Sequence, residues 1–188
     1  MIIRQISTGL RLLVVLTVLL GLGYPLAVWG VGQVAFRDQA AGSLLVTDGT
    51  VRGSTLLGQQ VEGTGWFQPR PSAGDHDALA SGGSNAGPSD PELLATIAER
   101  RAAVAEREGA DPAAVPADAI TASASGLDVH ISPAYAALQE PRVARERGLA
   151  PDRVHQLVAA ATTGRTLGFL GEPRVNVVEL NAALADQR

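Results

Sequence analysis

Asp75-His76-Asp77 and the pair Asp128 and His130 are the places where this sequence sets acids beside imidazoles. Two residues apart, Asp128 and His130 share one face if that piece is extended. Brought together, the two clusters would offer the three or four nitrogen and oxygen ligands that a divalent metal takes, the starting point for a metal-dependent hydrolase. Neither cluster has HExxH or similar spacing. Hydrogen bonding for His130 and solvent for His76 and His155 are therefore the simpler expectation. The run Ser81-Gly82-Gly83-Ser84-Asn85 could cradle a phosphate on successive backbone N–H groups, or hold a serine nucleophile. It has no lysine, does not form G-x-S-x-G and follows no clear strand, which favours a turn-rich docking loop. No pair among the 19 acids is marked for acid–base work. No catalytic residue, bound cofactor or metal ligand is assigned.

Composition removes further chemistries. All 15 basic residues are arginines, so there is no lysine for a Schiff base or a Walker phosphate site. Cysteine is also absent, which excludes disulfides and thiolate ligands. Beyond residue 36 the chain has 13 arginines against 19 acids and is near −6, the wrong sign for a nucleic-acid binder.

The element that places all of this is the uncharged run Leu12 to Phe36, between Arg11 and Arg37. As a helix it would reach about 37 Å, more than the roughly 30 Å of bilayer hydrocarbon. It is too long for a signal-peptide h-region and has no clean cleavage site after it, so an uncleaved anchor is expected. Arg4 and Arg11 precede it with no acid, whereas Asp38 follows Arg37 at once. The positive side is the N-terminus. The expected organisation is a cytoplasmic tail over 1–11, a transmembrane helix over 12–36 and one extracytoplasmic domain over 37–188, in the plasma (inner) membrane. Gly21, Gly23, Pro25, Gly30 and Gly32 suggest that partner helices pack closely here; Tyr24 and Trp29 would either sit at the membrane interface or, since both lie well inside the run, line that contact.

Leu44 to Val46 and Thr50 to Arg52, separated by Asp48-Gly49, read as a small hairpin. Gly63 to Asp90 is irregular and by composition reads equally as a flexible linker, yet Trp66 and Phe67 would be costly to leave in water, which argues for an ordered loop, functional or interfacial. Ser89 to Glu92 offers a capping box for a helix with Leu93, Leu94, Ile97 and Val104 on its apolar face. Gly109 to Pro116 reads as a surface loop. Ile120 to Pro133 reads as extended chain, ending at Ser132 as N-cap with Pro133 in the first turn. A short helix over Tyr135 to Gln139 should restart at Pro141 and run to Arg147. Another opens at Pro151 with Val154, Leu157, Val158 and Ala161 inward and Gly164 as its stop. Val175 to Leu180 reads as a strand, and Asn181 as the cap of a last helix. Together these predict an α+β fold: one N-terminal transmembrane helix, then one compact extracytoplasmic α+β domain.

Six ordered segments, Gly53 to Gln59, Trp66 to Ala73, Ala80 to Pro91, Thr121 to Pro133, Arg142 to Leu149 and Gly171 to Asn181, follow the short tail and anchor. In this the sequence resembles the KdpC family, the small subunit of the bacterial high-affinity potassium-transporting ATPase, over nearly the whole chain. The resemblance implies an accessory subunit of the Kdp complex that is not itself an enzyme. Its implied partners are a potassium-channel-like subunit and an ATP-hydrolysing subunit. It further implies a part in assembly and a role as catalytic chaperone raising ATP affinity, with ATP met only through the complex and no cofactor held firmly. Gly21, Gly23, Pro25, Trp66, Phe67, Arg70, Ser81, Gly82, Gly83, Ser84 and Asn85 are the expected partner contacts. A net −6 near a K⁺ entrance would modestly enrich cations, an effect that salt screens. The alternative is a membrane-anchored extracytoplasmic metal-dependent hydrolase built on Asp75, His76, Asp77, Asp128 and His130.

Overall fold

The computed structural model describes residues 1–47 and 49–187. The chain divides into two compact units, Met1–Leu44 and Leu45–Arg188.

The first unit is one long helical stretch. Helix α1 (Ile2–Val18) passes through a π-helical turn (Leu19–Gly23) into α2 (Tyr24–Ala35), and a short α3 (Arg37–Ala40) follows. Pro25 explains the π turn. Its ring has no N–H for the carbonyl of Gly21 and crowds the preceding turn, so the helix widens there. The N–H of Tyr24 accordingly donates to the carbonyl of Leu19, five residues back. The helical span of 34 residues, Ile2–Ala35, is the one stretch among the described residues long and apolar enough to cross a membrane. At roughly 1.5 Å per residue it reaches about 50 Å. It takes in most of residues 1–11 as helix, and none of its residues is buried within the chain.

Strand β1 (Leu44–Thr47) starts at the boundary residue Leu44 and pairs with β2 (Thr50–Ser54) in a two-stranded sheet. Asp48 of the expected turn lies outside the described residues. Residues 55–90 form no helix or strand. Helix α4 (Pro91–Glu108) is capped by Asp90 and not by Ser89: its Oδ1 accepts from the N–H of Glu92 at 2.9 Å. Pro91 decides this, because a residue before proline is pushed to extended backbone, and Asp90 at φ −66°, ψ 120° takes the cap position. Val104 and Ala105 are buried on α4, whereas Leu94, expected inward, is 53% exposed. The expected surface loop after α4 is partly interior. Val115 is buried between two 3₁₀ turns, Pro112–Ala114 and Ala117–Ala119.

The extended piece before Ser132 is a strand only at β3 (His130–Ile131). Ser132 caps α5 (Pro133–Arg147) as expected, its Oγ accepting from the N–H of Tyr135 at 3.0 Å. Pro141 does not divide that helix. Buried residues on both sides of it, among them Tyr135, Gln139, Arg142 and Val143, hold one continuous axis against a proline cost of about 3 kcal/mol. Helix α6 (Pro151–Ala160) buries Val154, Leu157 and Val158, and ends ahead of Gly164 because the chain turns directly into β4 (Thr162–Thr163). Strand β5 (Arg174–Asn176) is short, and Val177, expected within a strand, starts α7 (Val177–Ala185). Asn176 is its cap, its Oδ1 accepting from the N–H groups of Val178 at 3.0 Å and Glu179 at 3.2 Å. The antiparallel sheet runs β3-β5-β4, with Val175 opposite both Ile131 and Thr162. Helices α4 to α7 close over it around Val175, Tyr135, Val143, Val154 and Leu180.

Candidate functional site

The segment Thr64 to Gln68 has no ladder partner, so its backbone groups need bonds from elsewhere. Three side chains from α5 and α7 provide them. Arg142 donates through Nη1 to the carbonyls of Thr64 and, at 3.0 Å, Trp66, and through Nη2 to Gln139 Oε1 at 2.9 Å. Gln139 Oε1 also accepts from the N–H of Gln68 at 2.7 Å, while its Nε2 donates to the carbonyl of Gln68 at 3.2 Å. Asn181, expected as a helix cap, does the same for Phe67: its Oδ1 accepts from the N–H at 3.0 Å and its Nδ2 donates to the carbonyl at 2.9 Å.

A buried ion pair anchors this clamp. Arg142 Nε lies 2.8 Å from Glu108 Oε2, and the two side chains are 2% and 0% exposed. The second oxygen of Glu108 accepts from Arg107 Nε at 2.7 Å, and Arg107 Nη2 donates to the Tyr135 hydroxyl at 2.9 Å. Burial alone would lower the Arg107 pKa, but the bond to Glu108 and the nearby charges outweigh it and the pKa is raised. Burial raises Tyr135, against the opposing pull of Arg107. The clamp's hydrogen bonds run from Arg142, Gln139 and Asn181 to this chain's own backbone and side chains. The arrangement fixes a loop; it does not present a reacting group.

That changes how the expected contact residues read. Phe67 was expected to meet a partner, but its side chain is fully buried in the domain's own core, where its apolar area is already out of water. Trp66 is half-buried under the Arg147 guanidinium, 4.4 Å from the ring centroid. Arg70 reaches Asp128 Oδ2 at 3.2 Å and the carbonyls of Thr121 at 3.4 Å and Ala122 at 3.5 Å. The glycine-rich loop packs on the loop 123–126: the N–H of Gly82 and the hydroxyl of Ser81 both donate to the carbonyl of Ser125, at 2.9 and 3.0 Å. A Cβ on Gly83 would stand 3.0 Å from the carbonyl oxygen of Ala124, and one on Gly126, at φ +70°, 3.0 Å from that of Gly82. Close backbone approach is what these glycines provide. Ser84 and Asn85 lie beyond this contact, beside a groove of about 670 Å³. Gly21, Gly23 and Pro25 lie in the first unit, on the apolar helix.

The residues of the hydrolase alternative do not converge. Among the described residues no three His, Asp or Glu side chains come together as metal ligands would. His130 Nδ1 is 3.4 Å from Asp128 Oδ1, but the other oxygen of that carboxylate is taken by Arg70. His76 sits with Asp75 in left-handed backbone, at φ 59° and 50°. Its pKa is lowered chiefly by burial, against a hydrogen bond to the backbone of Arg70 and the charge of Asp75. A histidine with a lowered folded pKa contributes stability that is complete above its unfolded value near 6.5 and is lost as the pH falls through the folded one. Thermal unfolding midpoints should therefore fall from pH 7 to pH 5 more steeply in the natural chain than in His76→Asn, which accepts left-handed backbone but does not titrate. Equal slopes would show that His76 does not titrate with folding.

The fold and this site define a class: a domain joined to one candidate membrane-spanning helix, with its buried polar side chains committed to holding its own loops. The comparisons agree. The family model for KdpC, described as "K+-transporting ATPase, c chain", matches residues 6–186. A potassium-transporting ATPase KdpC subunit of Kineococcus radiotolerans is 55% identical over 97% of this chain and 93% of its own length. KdpC subunits of Mycobacterium tuberculosis and Geobacter sulfurreducens are 52% and 47% identical, each over 96% of this chain and 97% of their own lengths. The chain belongs to the KdpC family.

Proposed function

We propose that this chain is the non-catalytic accessory subunit of an ATP-driven, high-affinity K⁺ uptake complex. The long apolar helix spans the plasma (inner) membrane with its N-terminus in the cytoplasm and holds the chain to a channel-like subunit. The acidic domain lies outside, with Ser84 and Asn85 as the part of the glycine-rich loop left for a partner. An outside domain cannot touch cytoplasmic nucleotide, so any rise in the ATP affinity of the ATP-hydrolysing subunit travels through the assembly, in the manner of a catalytic chaperone. The single observation carrying this reading is the helix Ile2–Ala35, entirely unburied within its own chain and interrupted at Leu19–Gly23 by a π turn with small residues. In lipid, small residues mark where another helix comes close.

Gly21→Leu tests it. A Cβ at Gly21 would meet only Thr17 Cγ2 at 3.9 Å, an ordinary contact, so the helix itself tolerates a side chain there. The variant should still insert, yet co-purify several-fold less well with the channel-like subunit. Undiminished co-purification and K⁺ uptake would refute this role for the helix face.

A further inference from the structure

A second cleft, of about 300 Å³, opens between residues 60–76, α4 and Tyr135. Arg70, Arg100, Arg107 and His76 are its ionisable basic lining residues, and no carboxylate among the described residues lines it. This stands against the sign of a domain near −6. Arg100 and Arg107 are two turns apart on one face of α4, with Ala103 and Val104 between them in the lining. Arg100 belongs to none of the ion pairs among the described residues; its Nη1 donates to the carbonyl of Ile120 at 3.3 Å. Arg107 shares the single carboxylate of Glu108 with Arg142, so one positive charge is left over behind the wall. Arg70 has a buried Nε with no acceptor. The Tyr135 hydroxyl accepts from Arg107, which leaves its own proton to donate.

We propose that this cleft binds a phosphate group, either as inorganic phosphate or as the headgroup of a phosphomonoester lipid. Guanidinium groups from the loop and from α4 approach it from different elements, and a tetrahedral oxyanion has enough oxygens to accept from each. Binding would join Arg70 of the loop to Arg100 and Arg107 of the helix through one shared acceptor.

The test uses the full chain in detergent, titrated with sodium phosphate at constant ionic strength set by sodium chloride, and read as the thermal unfolding midpoint. A saturable rise is expected with phosphate. In Arg100→Gln the apparent dissociation constant should rise about tenfold, the loss of one charge-assisted contact. Arg101→Gln, a change on α4 outside the cleft lining, should leave it unchanged. A parallel arm adds phosphatidic acid to the detergent micelles, with phosphatidylcholine as control. A response to phosphatidic acid alone, lost in Arg100→Gln, identifies the lipid headgroup as the source. No saturable response in either arm, or equal responses in the natural chain and Arg100→Gln, would overturn the site. So would an equal loss in Arg101→Gln.

Discussion

Arg142→Ala is expected to cost the second unit, Leu45–Arg188, much of its stability. The change leaves Glu108 as a buried carboxylate with one remaining arginine partner, takes the Arg142 donor from the carbonyl of Thr64, and leaves that of Trp66 with only Gln68 Nε2 at 3.5 Å. Breaking a buried ion pair by removing one partner costs about 3–5 kcal/mol. Against a total of about 5–15 kcal/mol for a domain, that is a large share. The unfolding midpoint should fall by roughly 6–20 °C at the slope usual for this size, and the subunit should become sensitive to proteolysis between α4 and β2. Arg142→Lys should recover only part of the loss, because a single ammonium cannot reach Glu108, Gln139 and two carbonyls at once. A midpoint in Arg142→Ala within a degree or two of the natural chain would show that the clamp does not hold the fold.

Asn181→Asp has the second-largest expected effect and a distinctive pH signature. The substitution keeps the acceptor for the N–H of Phe67 but replaces the donor to its carbonyl with a second anionic oxygen, so carbonyl and carboxylate face each other in a partly buried place. An unmade bond of this kind costs about 1–3 kcal/mol. Protonating the new carboxyl restores a donor, so its folded pKa lies above its unfolded one. Stability from a raised pKa is present at low pH and lost as the pH rises, which means that the deficit relative to the natural chain should be largest near pH 7 and shrink toward pH 4. Differential unfolding curves of the two proteins at matched pH measure this. A deficit independent of pH would mean that Asn181 acts through packing alone.

Both predictions concern residues whose roles were hidden in the sequence. Arg142 stands in RVARER, where nothing local tells one arginine from the others; only the tertiary fold shows that this one points inward to a glutamate 34 positions earlier. The two asparagines exchanged roles for a related reason. Val175 to Leu180 is rich in β-branched residues and suggests a strand, yet Val177, Leu180 and Leu184 also carry a helical spacing, and burial of all three settled the choice for α7. Once the helix starts at Val177, Asn176 must cap it, and Asn181 is free to meet Phe67. The apolar span was legible because a bilayer asks only for length and lack of charge. So were the cap at Ser132 and the irregular course of residues 63–90, where local chemistry decides. The π turn was not, since Pro25 states that a hydrogen bond is lost but not how the helix absorbs it. Nor were the basic cleft and the Gly82 contact with Ser125, because each joins segments far apart in sequence.

The clamp also constrains the order of events when the chain is made. Phe67 is held by a side chain 114 residues later and Gln68 by one 71 residues later. Residues 64–68 therefore cannot settle while the ribosome is still supplying α5, and Phe67 waits longer still, until Asn181 has been made. Closure over such separations is slow. Until then Trp66 and Phe67 stay in the open, and a chain cut short before α7 would leave them there, exposed to any protease or chaperone that recognises aromatic side chains.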